Sequence, residues 1–139
     1  MKIREYSPDD LEFILYKMDG RYSKRRENKF ELVEKTDSFY CFVAEDNSEI
    51  KGFIIMEDFA DGISHYIFQI NVAEKRKGIG RQLVEKVFEE IGTGGHISLC
   101  VNTDKGDAIK FYEALGFERS GHTKNYRKGQ NKYWYQISL

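Results

Sequence analysis

Apolar positions recur along the chain at two periods, and the switches between them divide it into elements. Ile3 to Tyr6 alternates as a short strand. Ser7-Pro8-Asp9-Asp10 has the marks of a helix start: a hydroxyl cap, proline at the first helical position and acids in the first turn. Leu11, Ile14, Leu15 and Met18 follow on one helical stripe that Gly20 ends. A weaker helix is predicted over about 24–35, with Phe30 and Val33 as its apolar contacts. Runs 39–44 and 52–56 read as strands joined by a polar turn from Glu45 to Glu49. Asp61-Gly62 signals a further turn before a long strand over 63–72. Ile79, Leu83, Val84, Val87, Phe88 and Ile91 then fall on one face of a helix over 79–91.

Gly92-Thr93-Gly94-Gly95 stops that helix, and because no helix follows it is no dinucleotide fingerprint. The chain continues with a strand over 97–101, a short helix over 107–115, and a hairpin of strands 117–126 and 132–138 about Lys128-Gly129-Gln130. Strand 63–72, helix 79–91 and strand 97–101 form a crossover, so these two strands should be parallel. The order β-α-α-β-β-β-α-β-α-β-β implies a mixed α/β (α+β) sheet with helices on its faces, only part of it parallel.

Composition narrows this picture without changing it. A length of 139 residues suits one domain, 1–139, with a single core. A formal net charge of -1 gives no global field toward nucleic acid or membrane, and neither is expected as a partner. The cations are local, around 75–81 and 124–132. Cys41 and Cys100 lie in apolar runs and read as buried free thiols of a reducing compartment. No apolar run approaches membrane length and no leader is evident, so a cytoplasmic location is expected.

Candidate chemistry concentrates at Lys75-Arg76-Lys77-Gly78-Ile79-Gly80, between a strand and a helix. Glycine lets the backbone approach a ligand, and the free N–H groups of a helix start point at an anion. Lys75, Arg76, Lys77 and Arg81 add charge to the same turn. About thirty residues on, Ala108-Ile109-Lys110-Phe111-Tyr112-Glu113-Ala114-Leu115-Gly116-Phe117 places a tyrosine on a short helix stopped by glycine. A phosphate cradle followed by a phenol suggests a phosphate-bearing cosubstrate and a proton donor.

These two segments, at this spacing and in this order of elements, resemble the GNAT superfamily of acyl-CoA-dependent N-acetyltransferases. The resemblance covers nearly the whole chain. It implies a mostly antiparallel sheet whose parallel pair, 63–72 and 97–101, splays to admit acetyl-CoA, with no metal required. The diphosphate would sit on the backbone of Lys77 to Gln82, drawing on Lys75, Arg76, Lys77, Gly78, Ile79, Gly80 and Arg81. The pantetheine arm would pair with the edge at Phe68, Gln69 and Ile70, with Phe111 alongside. The thioester carbonyl would meet N–H groups near Ile70 and Asn71, and Tyr112 would lie by the sulfur.

The chain departs from the family pattern at three places. Lys75 stands for an arginine or glutamine, Lys105 for a frequent asparagine (with Asn102 nearby at a different spacing), and strand 63–72 carries no carboxylate. One subgroup, the ribosomal-protein alanine acetyltransferases, has a glutamate that aligns with Cys100.

Acyl transfer to an amine needs a neutral amine, a stabilised oxyanion and a receiver for the thiolate. Backbone donors on the splayed strand suit the second need. Tyr112 suits the third, as general acid or hydrogen-bond donor; on spacing alone it reads as a half-buried packing aromatic, and the motif around it favours the acid. Reference values of ~10 for tyrosine and ~8.5 for a thiol put full proton transfer about 2 kcal/mol uphill. Tyr112 should therefore either have a lowered pKa or chiefly donate a hydrogen bond. Glu57, Asp58 and His65 are the available bases, and none stands out. The acceptor, a small-molecule or peptide amine, should enter between the loop 19–23 and the C-terminal hairpin. Tyr22, Asn71 and Tyr126 would meet it there, with Tyr133 and Trp134 available to line the pocket. Lys24-Arg25-Arg26 should face solvent or an acidic substrate. The leading expectation is an acetyl-CoA-dependent N-acetyltransferase working through a ternary complex, and the alternative is a coenzyme A-binding sensor or interaction module. Edge strands leave room for a homodimer.

Overall fold

The computed structural model describes residues 1–139. Seven strands form one sheet in the order β1-β2-β3-β4-β5-β7-β6. In sequence these are β1 (Lys2–Glu5), β2 (Phe39–Asp46), β3 (Glu49–Asp58), β4 (Ser64–Val72), β5 (His96–Asn102), β6 (Glu118–Arg127) and β7 (Gln130–Ser138). Only one neighbouring pair is parallel, β4 with β5, and α3 carries the chain back between them. The helices are α1 (Leu11–Tyr16), α2 (Lys24–Lys35), α3 (Ile79–Ile91) and α4 (Gly106–Ala114). No helix is long and apolar enough to cross a membrane.

Two apolar layers hold the sheet. On one face Leu83, Val84 and Val87 of α3 pack on Phe42, Ile54, Met56 and Ile97, joined by Tyr112 of α4. On the other, Ile14 of α1 and Phe30 of α2 pack on Cys41, Val43, Phe53 and Ile55. Each fully buried aliphatic side chain contributes roughly 1.5–3 kcal/mol.

The first helix is shorter than its apolar stripe predicts. Ser7 and Asp10 form a capping box, but the turn they cap, Pro8–Asp10, is a 3-10 turn and α1 stops at Tyr16. Asp10 is drawn down to Arg4, whose guanidinium donates to both carboxylate oxygens at 2.9 Å. Met18 stays buried beyond the helix end. The turn between β2 and β3 is also tighter than predicted. Asn47 (φ 52°) and Ser48 (φ 66°) alone make it, and positive φ at both positions matches the twist of the flanking strands.

Candidate active site

β4 and β5 pair at only three positions, Ser64 with His96, His65 with Ile97 and Tyr66 with Ser98. Beyond them β5 keeps its ladder with β7, while β4 stays with β3 and the two strands part. A bulge in β4 contributes. Ile55 faces Gln69 and Met56 faces Ile67, leaving Phe68 as the extra residue. Ile67 and Ile70 consequently both pack toward α3, while Phe68 packs toward α2.

A cleft of about 470 Å³ opens at this parting. Ile70, Asn71 and Val72 of β4 form one wall, Asp107, Ala108, Lys110, Phe111 and Tyr112 of α4 the other. Glu74, Lys75, Arg76, Gly78, Ile79, Gly80 and Arg81 form the end. There Arg76 (φ 64°) and Gly78 (φ 76°) are both left-handed, which folds the loop so that its amides gather before α3. From Lys75 to Arg81 no backbone N–H has a partner within the protein; Gln82 is the first, donating to the Gly78 carbonyl at 3.1 Å. This narrows the predicted cradle, which ran to Gln82. Lys75, Arg76, Arg81 and Lys110 outnumber Glu74 and Asp107 in the cleft, so its field favours an anion. Free amides, a cationic loop and an unpaired strand edge suit a diphosphate followed by an extended arm.

Gly80 has a packing reason beside ligand approach. A Cβ there would lie 3.1 Å from Cζ of Phe111, so the glycine lets α3 and α4 close on each other across the cleft. Gly52 of β3 does the same work underneath, since its Cβ would lie 2.9 Å from the Asn71 carbonyl oxygen and 3.0 Å from Ile79.

Tyr112 stands in the cleft wall, 7% exposed, edge-on to Phe111 and Phe117 with ring centres 5.2 and 5.7 Å away. Its hydroxyl makes no hydrogen bond in the protein, yet it is not among the sealed unpartnered atoms. Three other buried or half-buried tyrosine hydroxyls are engaged: Tyr40 with His65 Nδ1 at 2.8 Å, Tyr66 with Cys100 Sγ at 3.1 Å, and Tyr135 with Glu113 at 2.9 Å. Burial, and secondarily the neighbouring Cys100, pushes the Tyr112 phenol above its ordinary pKa. The lowered value considered from sequence is not found, because desolvation outweighs the cations at the cleft's far end.

The other predicted site residues divide. Lys77 is exposed and lies outside the cleft lining. Phe68 turns into the α2 layer against Phe39, with the Lys29 ammonium 5.2 Å from its ring centre. Gln69 lines a second cavity of about 370 Å³ on the α2 side, together with Tyr22, which stacks on Tyr16 at 5.2 Å. Asn71 lines the first cleft, and its side-chain oxygen accepts from the Gln69 side-chain amide. Tyr126 is 49% exposed on β6, edge-on to Trp134, and lines neither cavity. Glu57 and Asp58 pair with Tyr66 and His65 at the closed end of β4, away from the parting.

Lys24 and Arg25 are exposed, as the sequence suggests, but Arg26 is not. It is 5% exposed and grips Asp19 through two 3.0 Å hydrogen bonds, which hold the Asp19 carboxyl below the usual range. Lys110 and Asp107 of the first cavity, and Arg21 and Lys29 of the second, escape sequence reasoning. Asp107 precedes Lys110 by three positions and Phe111 by four on α4, the one signal that could have marked the pair.

A cleft between two parting parallel strands, with an amide cradle at its end and a phenol in its wall, defines an acyl-coenzyme A transferase. The family description "Acetyltransferase (GNAT) domain" matches residues 37–119, and the chain belongs to that family: it is an acetyl-CoA-dependent acyltransferase acting on amines. A 5-NmdU N-acetyltransferase of Pseudomonas phage PaMx11 is 29% identical over 127 residues, spanning 87% of this chain and 89% of its own. The ribosomal protein bS18-alanine N-acetyltransferase of Escherichia coli K12 is 26% identical over 111 residues, 74% of this chain and 75% of its own. In fold, a Bacillus anthracis protein solved in complex with acetyl coenzyme A superposes with a TM-score of 0.81 at 19% identity, covering 99% of this chain and 98% of that one.

Proposed function

We propose that the chain moves an acetyl group directly from acetyl-CoA to a primary amine in a ternary complex, with Tyr112 protonating the leaving sulfur. The observation that carries this reading is the Tyr112 hydroxyl, unpartnered in the protein and placed in the cleft wall. The open edge of β4 at Ile70 and Asn71 offers backbone donors to the carbonyl oxygen as it gains charge. Lys75, Arg76, Gly78, Ile79, Gly80, Arg81 and Phe111 hold the cosubstrate from the α3–α4 side.

Because burial keeps the phenol protonated beyond ~pH 10, Tyr112 carries its proton throughout the neutral range. It donates a hydrogen bond first and yields the proton as charge develops on the leaving sulfur. No carboxylate stands on β4, so the acceptor must arrive neutral. At pH 7 that costs about 1.4 kcal/mol for an α-amine near pKa ~8 and about 4.6 kcal/mol for a lysine-like amine near ~10.4. The less basic amine is therefore the favoured acceptor, whether small molecule or peptide. The test is thiol release from acetyl-CoA across a panel of amines, with the acetylated amine identified by mass. Tight cofactor binding with no amine-dependent thiol would overturn the reading.

A further inference from the structure

Adjacent residues of β4 line the two cavities. Ile70 lines the cleft on the α3 side, whereas Gln69 lines the cavity on the α2 side. The second cavity therefore abuts the parting of the strands from the face opposite the cosubstrate. Its lining holds Arg21, Arg25, Arg26 and Lys29 and no carboxylate. Asp19 neutralises Arg26, and Glu27 is occupied by Lys24 at 2.7 Å, so Arg21, Arg25 and Lys29 keep uncompensated charge. Lys29 is held below its ordinary pKa by burial and by repulsion from Arg25, Arg127 and Arg26, which brings the end of β6 into the same field. Two buried polar atoms on lining residues, Arg26 Nε and Gln69 Oε1, have no partner. One is a donor among cations, and the other is an acceptor beside the reacting edge.

From this arrangement we infer that the second cavity binds an acceptor carrying a phosphate, with the phosphate among Arg21, Arg25 and Lys29 and the amine against Gln69 Oε1. The inference rests on the acetyltransferase reading above and specifies its substrate class. Un-neutralised positive charge concentrated around an open, polar cavity draws a polyanion, and three cations match a phosphate better than a single carboxylate. A volume near 370 Å³ holds a small phosphorylated amine or the end of a nucleotide. The Gln69 carbonyl, sealed without a partner in the free protein, then turns toward the cavity to accept from the amine nitrogen and aligns it toward the gap beside Ile70.

Two measurements test this on the full chain. First, inorganic phosphate is titrated calorimetrically into protein saturated with coenzyme A, so that the first cleft is filled. Wild type should bind phosphate with a strong salt dependence, and Arg25→Gln and Lys29→Met should abolish binding while leaving coenzyme A affinity unchanged. Second, thiol release is compared for O-phosphoethanolamine, β-alanine and a neutral aminoalcohol, and for an amine-bearing nucleotide free or within a single-stranded oligonucleotide. The phosphorylated amines should be preferred, and each variant should cut their kcat/KM by about 10–100-fold, the range of one lost charge-assisted hydrogen bond, and leave the neutral amine unaffected. The free and strand-borne nucleotides show which source of phosphate fits. Equal use of neutral, carboxylate and phosphate amines, or phosphate binding indifferent to both variants, would overturn the inference. Phosphate binding that the variants abolish, with no amine acetylated, would uphold it and instead sink the proposed reaction.

Discussion

Tyr112→Phe removes a single oxygen, and the structure separates its effects on fold and on chemistry. That hydroxyl makes no hydrogen bond in the protein, so its loss forfeits none of the roughly 0.5–1.5 kcal/mol that such a bond contributes. The ring keeps its edge-on contacts with Phe111 and Phe117. Unfolding free energy should therefore stay within about 0.5 kcal/mol of wild type. Turnover should fall by about 10²–10⁴-fold, the usual share of a general acid, or roughly 2.7–5.4 kcal/mol on the barrier. Tyr135→Phe is the matched control. Tyr135 is fully buried, its hydroxyl donates to Glu113 at 2.9 Å and accepts from Arg119 at 3.2 Å, and it lies outside the cleft. It should lose about 1 kcal/mol of stability with turnover unchanged. The assay is continuous thiol detection at saturating acetyl-CoA and amine, with thermal unfolding of the same preparations. If Tyr112→Phe kept turnover within threefold of wild type, the phenol would have no part in the chemistry.

Other substitutions probe the frame. Gly80→Val should raise KM for acetyl-CoA by forcing Phe111 across the cleft, and Gly52→Ala, which meets the Asn71 carbonyl, should destabilise by about 1–3 kcal/mol; unchanged KM or melting would refute either contact. Asp19→Asn breaks a pair whose side chains are 8% and 5% exposed and should lose about 3–5 kcal/mol in a denaturant titration. With no enzymic base, the rising limb of kcat/KM against pH should follow the acceptor's own pKa, and an identical limb for amines of ~8 and ~10 would expose a base in the protein. Cys41, Tyr40, Tyr66 and Tyr112 are all raised by burial, so the folded state holds their protons more tightly than the unfolded chain. Their stabilisation is complete below the unfolded values of ~8.5 and ~10 and is lost as pH climbs above them. The melting temperature should therefore decline above about pH 8.5. Cys41→Val should delay that decline.

Local signals were sufficient for the elements and for the two segments that line the first cleft. The stripe from Ile79 to Ile91, the Lys75–Gly80 loop and the tyrosine helix are each encoded within a dozen residues, and helical and strand periods differ enough to be read without tertiary contacts. The parallel β4–β5 pair followed from the crossover between them. What distance along the chain conceals is the packing that gives each residue its role. The sequence marks Gly80 only as a phosphate-facing glycine, whereas in the fold Phe111, thirty-one positions away, also occupies the space its Cβ would need. Lys24-Arg25-Arg26 looked like one solvated run, yet Asp19 draws Arg26 inward and leaves Arg25 at the edge of a cavity. The bulge at Phe68 brings Ile67 and Ile70, three positions apart, to the same face of the sheet, which no alternation rule would give. The pattern of side chains determined which elements form, because periodicity and capping act over single turns. Only the folded sheet decided which face each residue serves, because burial, charge compensation and the raised phenol of Tyr112 arise from neighbours brought together across the chain.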